Sequence, residues 1–355
     1  MSYSLTLGPE HPAWRGQQRY QFDLAGEVVG EVEFSNEQRM RGWVERLLRA
    51  DLPDTVVQAS RLCPNCGVAH GLACARALEQ LYRLEPLPRG QALRCAAAEL
   101  ERAVAHIGAA ARTLAALGMF PTGVALNDLA LAMQQVVQQL GSVAIGGMQR
   151  DLQRTQADEL LVTLPKLNRS LFRVIDGLID NQPLLTRTIE VAALPKSAAE
   201  QFGVRGVLAR ASGIGLDVRS DHPYEIYAQL PIRVIIQEGG DLYARLVVLL
   251  LEGLESVKLA EQIIRELPGG AVKPARLPEL IPGQAQATVE APCGPLRYLI
   301  ETNGTRLTRV VAEPPRQLDR LLARTLLVGA LIDNIVAIIA AVDHCPFCAG
   351  LSEWS

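Results

Sequence analysis

The chain has few aromatic residues, few cysteines and no surplus of charge of either sign. Aromatics make up 5% of its 355 residues, so close packing must come mainly from aliphatic and small side chains. A net charge of -3 offers none of the basic excess that binds nucleic-acid backbones, and no nucleic-acid partner is expected. Seven cysteines are too few for a disulfide scaffold at this length, and the odd count leaves one unpaired in a monomer. The opening MSYSLTLGPEHPAWRG has no basic stretch followed by an apolar one, so no secretory signal is expected and a reducing cytoplasm is the expected setting. The longest apolar run, Leu326 to Val342, is interrupted by Asp333 and Asn334. It reads as a buried helix rather than a membrane span. What is present is 49% hydrophobic and 21% charged, enough apolar material for a large core and too much for a disordered chain.

Tyr20 to Phe34 partly alternate polar and apolar residues around Gly26 and Gly30, which predicts a short antiparallel hairpin. Ser35 and Gln38 have the spacing of a capping box, predicting a helix from there to about Arg49. Helical periodicity then covers Gly67–Tyr82, Gln91–Leu117, Gly123–Leu140, about Met148–Ile179 and about Asp241–Glu266. The second of these is rich in alanine, which permits close helix packing. Thr288 to Val311 reads as two or three strands, and Leu318 to about Val342 as a last helix. No linker or repeat interrupts the pattern. The expected architecture is one mainly helical domain over residues 1–355, a helical bundle with a small antiparallel sheet from the N- and C-terminal segments.

Two C-x-x-C pairs carry the chemistry: Cys63/Cys66 in RLCPNCGVAH and Cys345/Cys348 in VDHCPFCAG. Brought together they would make a four-thiolate site suited to zinc, iron or nickel. The first pair precedes a helix, whose N-terminal N–H groups should favour a thiolate at Cys66. Three plainer readings compete. A structural zinc ribbon places its pairs about 15–20 residues apart, whereas 278 residues separate Cys66 from Cys345. A thioredoxin-like Cys-Pro-Phe-Cys needs a helix and further elements after it, and only seven residues follow Cys348. The pairs could also be incidental. His70 and Cys74 stand four residues apart on one helix face, Cys95 sits in an alanine-rich run, and His106 reads as a packed histidine. His11 and His222 read as loop residues, and His344 is a candidate ligand or proton carrier.

The ordered motifs resemble the large subunit of nickel–iron hydrogenases along nearly the whole chain. Arg61, Cys63, Cys66 and His70 match that family's R-x-C-G-x-C-x-x-x-H, and Asp343, Cys345 and Cys348 match its closing D-P-C-x-x-C. RGWVERLLR (Arg41–Arg49) and EAPCGPL (Glu290–Leu296) resemble two further segments. ARASGIGLDVRSDHPYEIY (Ala209–Tyr227) and GDLYAR (Gly240–Arg245) resemble the branch shared with the quinone-side core subunit of respiratory complex I. The resemblance implies terminal nickel ligation by Cys63 and Cys345, and iron ligation by Cys66 and Cys348, with cyanide and carbonyl completing the iron. Arg61 and His70 would orient those ligands.

The departures from the pattern bear on activity. No R-I-E-G-H-like segment with a proton-passing glutamate occurs around Arg15–Gly30, and Pro64 replaces a glycine. Cys293 stands where the family has the arginine of P-R-G, IGGMQRDL (Ile145–Leu152) lacks a His-Pro, and Leu351 replaces a final histidine. Such a chain resembles the HupK/HoxV-type assembly scaffolds, non-catalytic look-alikes of the large subunit. That resemblance implies transient binding of an iron–cyanide–carbonyl unit, with nickel possible and Cys293 available as a relay ligand. It implies hydrogenase maturation proteins and the apo-large subunit as partners, and an end at Ser355 with nothing for a maturation protease to remove. The alternatives are an active divergent hydrogenase working with an iron–sulfur partner, and a zinc-stabilised structural subunit.

Overall fold

The computed structural model describes residues 2–315 and 318–351. The N-terminal segment forms β1 (Ser2–Leu7), β2 (Gln18–Ala25) and β3 (Val28–Asn36), an antiparallel sheet in that order. In β2 the alternation is complete: Tyr20, Phe22 and Leu24 turn inward while their neighbours face out. Three short helices follow: α1 (Trp43–Arg49), α2 (Leu52–Ser60) and α3 (Gly67–Leu81). The long helices are α4 (Pro88–Ala116) and α5 (Phe120–Leu140), then, after the two-residue strands β4 (Val143–Ala144) and β5 (Gly147–Met148), α6 (Arg154–Ile179). Short helices α7 (Gln182–Thr188), α8 (Lys196–Phe202), α9 (Gly206–Ala211) and α10 (Val218–Asp221) lead to α11 (Leu242–Arg265). A second antiparallel sheet, β6 (Gly283–Ala291), β7 (Gly294–Thr302) and β8 (Leu307–Glu313), precedes α12 (Arg320–Leu327), α13 (Ile335–Ala341) and α14 (Pro346–Ala349).

This is the mainly helical architecture that the sequence implies, with sheets contributed by the N- and C-terminal segments. The two ends build separate sheets rather than a shared one. Helix α4 is the axis. It is buried almost all round and packs against α3, α5, α11 and α13. Its alanines let neighbours approach, and α11 does so at Gly253, where a Cβ would stand 2.6 Å from Ile107 Cδ1. Helix α6 lies outside that layer and is amphipathic instead, burying Leu160, Leu164, Leu167, Leu171, Ile175 and Leu178 along one stripe.

Three boundaries differ from the sequence reading, each for a local reason. No helix begins at Ser35, because Ser35 and Asn36 are taken into β3 opposite Arg19 and Gln18; α1 starts only after Gly42. The helix expected from Met148 starts at Arg154, capped by Gln153 and Gln156, since Val143–Met148 turn back on themselves as β4 and β5. The last helix is broken. Gly329 at φ +85° leaves α12, and the backbone there pairs with the β2–β3 end through Gly329 N–H to Val29 O (2.8 Å) and Val29 N–H to Ala330 O (2.9 Å). Among the described residues no helix is long and apolar enough to cross a membrane.

Charged side chains run through the helical layer. Arg94 of α4 bonds Glu79, Glu225 (3.1 Å) and the Gly147 carbonyl (2.9 Å) with no exposure of its own. Glu99 receives Arg219 through both oxygens (2.9 Å), the Tyr227 hydroxyl (2.7 Å) and the Ser256 hydroxyl (2.7 Å). Arg210 joins Glu252 to Glu290 (3.2 Å). Removing one partner strands a buried charge, so Arg94→Ala should lower the unfolding free energy by about 3–5 kcal/mol. Arg297→Ala, which breaks the exposed pair with Glu313, should cost less than about 1 kcal/mol. Urea unfolding of the two variants checks this, and equal losses would refute it.

Candidate metal centre

Cys63 and Cys66 lie on the turn between α2 and α3, and Cys345 and Cys348 on the turn that opens α14. The fold brings all four sulfurs, fully enclosed, within 4.8 Å of one another. Cys63 and Cys345 are 3.4 Å apart, and Cys66 and Cys348 are 3.9 Å apart. Four thiolates around one ion at about 2.3 Å would stand about 3.8 Å from each other, so the donor set has about the size that a soft or borderline metal needs. Cys74 and Cys95 are buried in α3 and α4, away from this cluster.

Each thiol turn is held from outside. The N-terminal amides of α3 at Val68 (2.6 Å) and Ala69 (3.0 Å) donate to the Glu101 carboxylate, which α4 carries in from the side. The opening of α14 is held by β3: Asn36 Nδ2 donates to the Pro346 carbonyl (3.1 Å), and Phe34 meets the His344 ring edge-on. Asn65 bridges the pairs, its backbone N–H reaching Cys63 Sγ (3.4 Å) and its Nδ2 reaching Cys345 Sγ (3.8 Å).

His70 sits where the sequence pattern suggests, its Nε2 3.5 Å from Cys348 Sγ and its Nδ1 2.8 Å from the Tyr298 hydroxyl. Burial lowers it to about 4, so it is neutral at ordinary pH. Arg61 behaves otherwise: it is exposed at the end of α2 and makes no hydrogen bond or ion pair with the thiols among the described residues. His106 is closed in between Glu252 (3.0 Å) and Asp343 (3.2 Å), as a packed and paired histidine. His344 accepts from the Leu318 N–H (3.2 Å) and lines the cavity beside Cys345.

Cys293 lies at the tip of the β6–β7 hairpin, between the paired residues Ala291 and Gly294, and hydrogen-bonds with Cys66 and Cys348. The hairpin can press this close because Gly206 passes the tip without a side chain; a Cβ there would meet the Cys293 carbonyl at 2.5 Å. A fifth sulfur thus adjoins the four, and the protons are unequally shared. Hydrogen bonding with Cys293 raises both Cys66 and Cys348 well above the ordinary thiol value. Cys293 is held down to about 6 by Cys348 and Cys66, and Cys345 is lowered by Cys348 and Cys63. Glu101 occupies the helix amides of Val68 and Ala69 beside Cys66, and Cys66 Sγ accepts from Cys348 Sγ.

Beside the thiols is a cavity of about 30 Å³ bordered by Trp14, Arg15, Arg112, Cys293 and Asp343. Arg15, Arg112 and Glu101 were not singled out by motif. Their only signal is proximity, which no spacing in the sequence reports.

A buried, thiol-lined centre in a mainly helical frame is what the resemblance to hydrogenase large subunits implies. The family model for the respiratory-chain NADH dehydrogenase 49 kDa subunit matches residues 139–283. An NADH-quinone oxidoreductase subunit from Salinispora arenicola is 30% identical, over 95% of this chain and 91% of its own length. The carbon monoxide-induced hydrogenase of Rhodospirillum rubrum is 28% identical over 98% of this chain and 99% of its own. In fold, the chain superposes with a TM-score of 0.89 on a chain of the membrane-bound sulfane sulfur reductase, an archaeal respiratory membrane complex, at 23% identity and 98% coverage of both. The chain belongs to the family of 49 kDa subunits and nickel–iron hydrogenase large-subunit-like proteins. These findings correct the expected partners. The matching proteins are subunits of respiratory complexes, so hydrogenase maturation proteins and an apo-large subunit are not the partners to which the family points.

Two outcomes follow from the site. Glu101→Ala should destabilise the fold by about 1–3 kcal/mol, because two buried amides lose their acceptor; urea unfolding measures it. His70 titrates near 6.5 when unfolded and near 4 when folded, so on acidification the unfolded chain takes up the proton first. Stability should therefore fall between those values by about 1.4 kcal/mol per pH unit. His70→Gln should flatten that slope between pH 6.5 and 5, and an unchanged slope would refute the assignment.

Proposed function

We propose that this chain is the metal-bearing subunit of a membrane-associated, hydrogenase-like or complex I-like respiratory assembly. The observation that carries the reading is the convergence of Cys63, Cys66, Cys345 and Cys348 in one buried cluster. Full-length similarity to a hydrogenase and to NADH-quinone oxidoreductase subunits supports it. Of the two uses expected for the thiols, temporary holding of an iron unit and a resident centre, the resident centre has the support of those relatives.

The donor set would suit a nickel–iron-type centre, which Cys63, Cys66, Cys345 and Cys348 would hold. When bound, such a centre supplies reversible electron storage and hydrogen chemistry. The chain's own part is to exclude water from the sulfurs, to fix Cys348 through His70, and to hold Cys63 and Cys345 through Asn65. Cys74 and Cys95 lie too deep in the helices to build a cluster of their own, so electrons must enter through a neighbouring subunit. Among the described residues the only carboxylate bordering the cavity is Asp343, which is already paired with His106. Slow or absent hydrogen turnover is therefore part of the proposal.

Protein purified without oxygen from its native membranes, studied by infrared spectroscopy and metal analysis, tests the reading. Iron with cyanide and carbonyl bands and about one nickel per chain is the expected result, lost in Cys66→Ser and Cys348→Ser and kept in Cys95→Ala. Zinc alone, without diatomic bands, would overturn it. The chain should also leave the membrane on detergent extraction as part of a larger assembly; recovery as a lone chain would argue against the assembly. Rapid hydrogen-dependent dye reduction would remove the clause on turnover.

A further inference from the structure

The four-thiol set does not account for every sulfur at the site. Cys293 hydrogen-bonds with Cys66 and Cys348, yet it is outside the group whose sulfurs all lie within 4.8 Å of one another. It therefore stands to one side, against the edge that Cys66 and Cys348 form. Those two sulfurs are 3.9 Å apart, and thiolates on one tetrahedral ion stand about 3.8 Å apart. Three sulfurs in mutual contact make a face on which a second soft ion can sit. Hydrogen bonds join them while the thiols keep their protons, and a bound metal takes the protons' place.

The third donor is fixed before any ion arrives. Pro292 and Cys293 make the turn between the paired residues Ala291 and Gly294. Gly294 has φ +122°, and a Cβ there would stand 3.1 Å from both Arg205 Cβ and Pro315 Cβ, so the tip is wedged where only glycine fits. Behind the tip, Glu290 accepts from Arg210 and from the Val218 N–H. His70 Nε2 lies 3.5 Å from Cys348 Sγ and orients it. Donors held in this way lose little freedom when they bind.

Cys293 is also the one sulfur of the five that is partly exposed, and it borders the cavity with Cys66 and Cys345. An ion can enter there, and the cavity side leaves its fourth position for water or a small ligand. Charge favours a second ion too. Five thiolates around one divalent ion would keep a large negative excess in a closed site, and a second divalent ion removes most of it.

We propose that Cys66, Cys348 and Cys293 form a second metal position, for a soft or borderline divalent ion that shares Cys66 and Cys348 with the four-thiol set. The inference rests on the reading of that set as a metal centre and extends it. The protein supplies three ligands to the second ion, so its capture needs no cyanide or carbonyl.

Cadmium is the probe. The full-length chain, stripped of metal under reducing conditions without oxygen, is titrated with cadmium chloride. Bound cadmium is counted after dialysis, and sulfur-to-cadmium charge-transfer absorption reports how many thiolates are engaged. Wild type should bind about two ions per chain through five thiolates, and Cys293→Ser about one through four. Cys95→Ala should match wild type. Crystals of cadmium-loaded wild type should show two anomalous peaks, the second beside Cys293. About one ion through four thiolates in wild type, or two thiolate-bound ions in Cys293→Ser, would overturn the second position and leave the four-thiol centre standing. No thiolate-bound cadmium in wild type would overturn both. The wild-type count and peaks decide the matter even where Cys293→Ser fails to fold.

Discussion

Everything near the site is arranged around one constraint: two thiol pairs separated by 278 residues must meet in a space excluded from water. The entropy of closing so long a loop grows only slowly with its length, so the harder requirement is local. Sulfurs a few ångströms apart need both turns fixed, because a turn that drifts by about 1 Å no longer makes a binding set. Glu101 fixes the first turn from α4, and Asn36 with Phe34 fixes the second from β3. The N-terminal sheet, which looks peripheral, is therefore a clamp on the C-terminal cysteines. The pairing of Val29 with Gly329 and Ala330 reinforces it by tying the same sheet to the segment that leads into them.

The buried arginines extend that constraint into the helical layer. Such networks are poor sources of stability, since desolvation offsets much of the attraction. Their geometry suggests what they secure. Glu290 accepts from Arg210 and from the Val218 N–H (3.2 Å), and its own N–H donates to Tyr224. Glu290 lies near the end of β6, three residues before Cys293 at the hairpin tip, so the network sets the depth to which the β6–β7 hairpin reaches toward the thiols. Burial alone would raise Glu252; Arg210 and His106 instead hold it near 2, which keeps it ionised for the next link. His106 then connects the layer to Asp343 at the cavity. A line of contacts thus runs from the middle of α11 to the edge of the centre.

The long helices and the β6–β8 sheet were legible because their signals are periodic and local, and the cysteine pairs because their spacing is a motif. What was not legible depended on competition between partners. Ser35 has the letters of a helix cap, but opposite Arg19 it is worth more as a strand residue. Cys66 stands at a helix start, yet Glu101, remote in sequence, reaches the same amides first. Arg61 belongs to the motif and faces solvent away from the thiols, while Arg15, also exposed, and Arg112 belong to no motif and border the cavity. Sequence order lists candidates; which of them share a site is decided by packing.

The replacement at position 293 gains its meaning from those two arginines. The family resemblance places a permanent cation at the tip of the β6–β7 hairpin, and here a thiol stands there, held low enough to carry negative charge itself. A cavity that lost a cation and gained an anion would be left with thiolates and no compensation, an arrangement that burial makes costly. Arg15 and Arg112 bring positive charge back from two other elements, but not to the same spot: it comes from the N-terminal loop and α4 instead of the hairpin. The centre therefore keeps its electrostatic balance while exchanging a hard hydrogen-bond donor for a soft sulfur donor next to Cys66 and Cys348. Such an exchange alters which groups Cys66 and Cys348 tolerate beside them far more than it alters the fold. The frame can consequently match its respiratory relatives from end to end while the chemistry at its centre diverges.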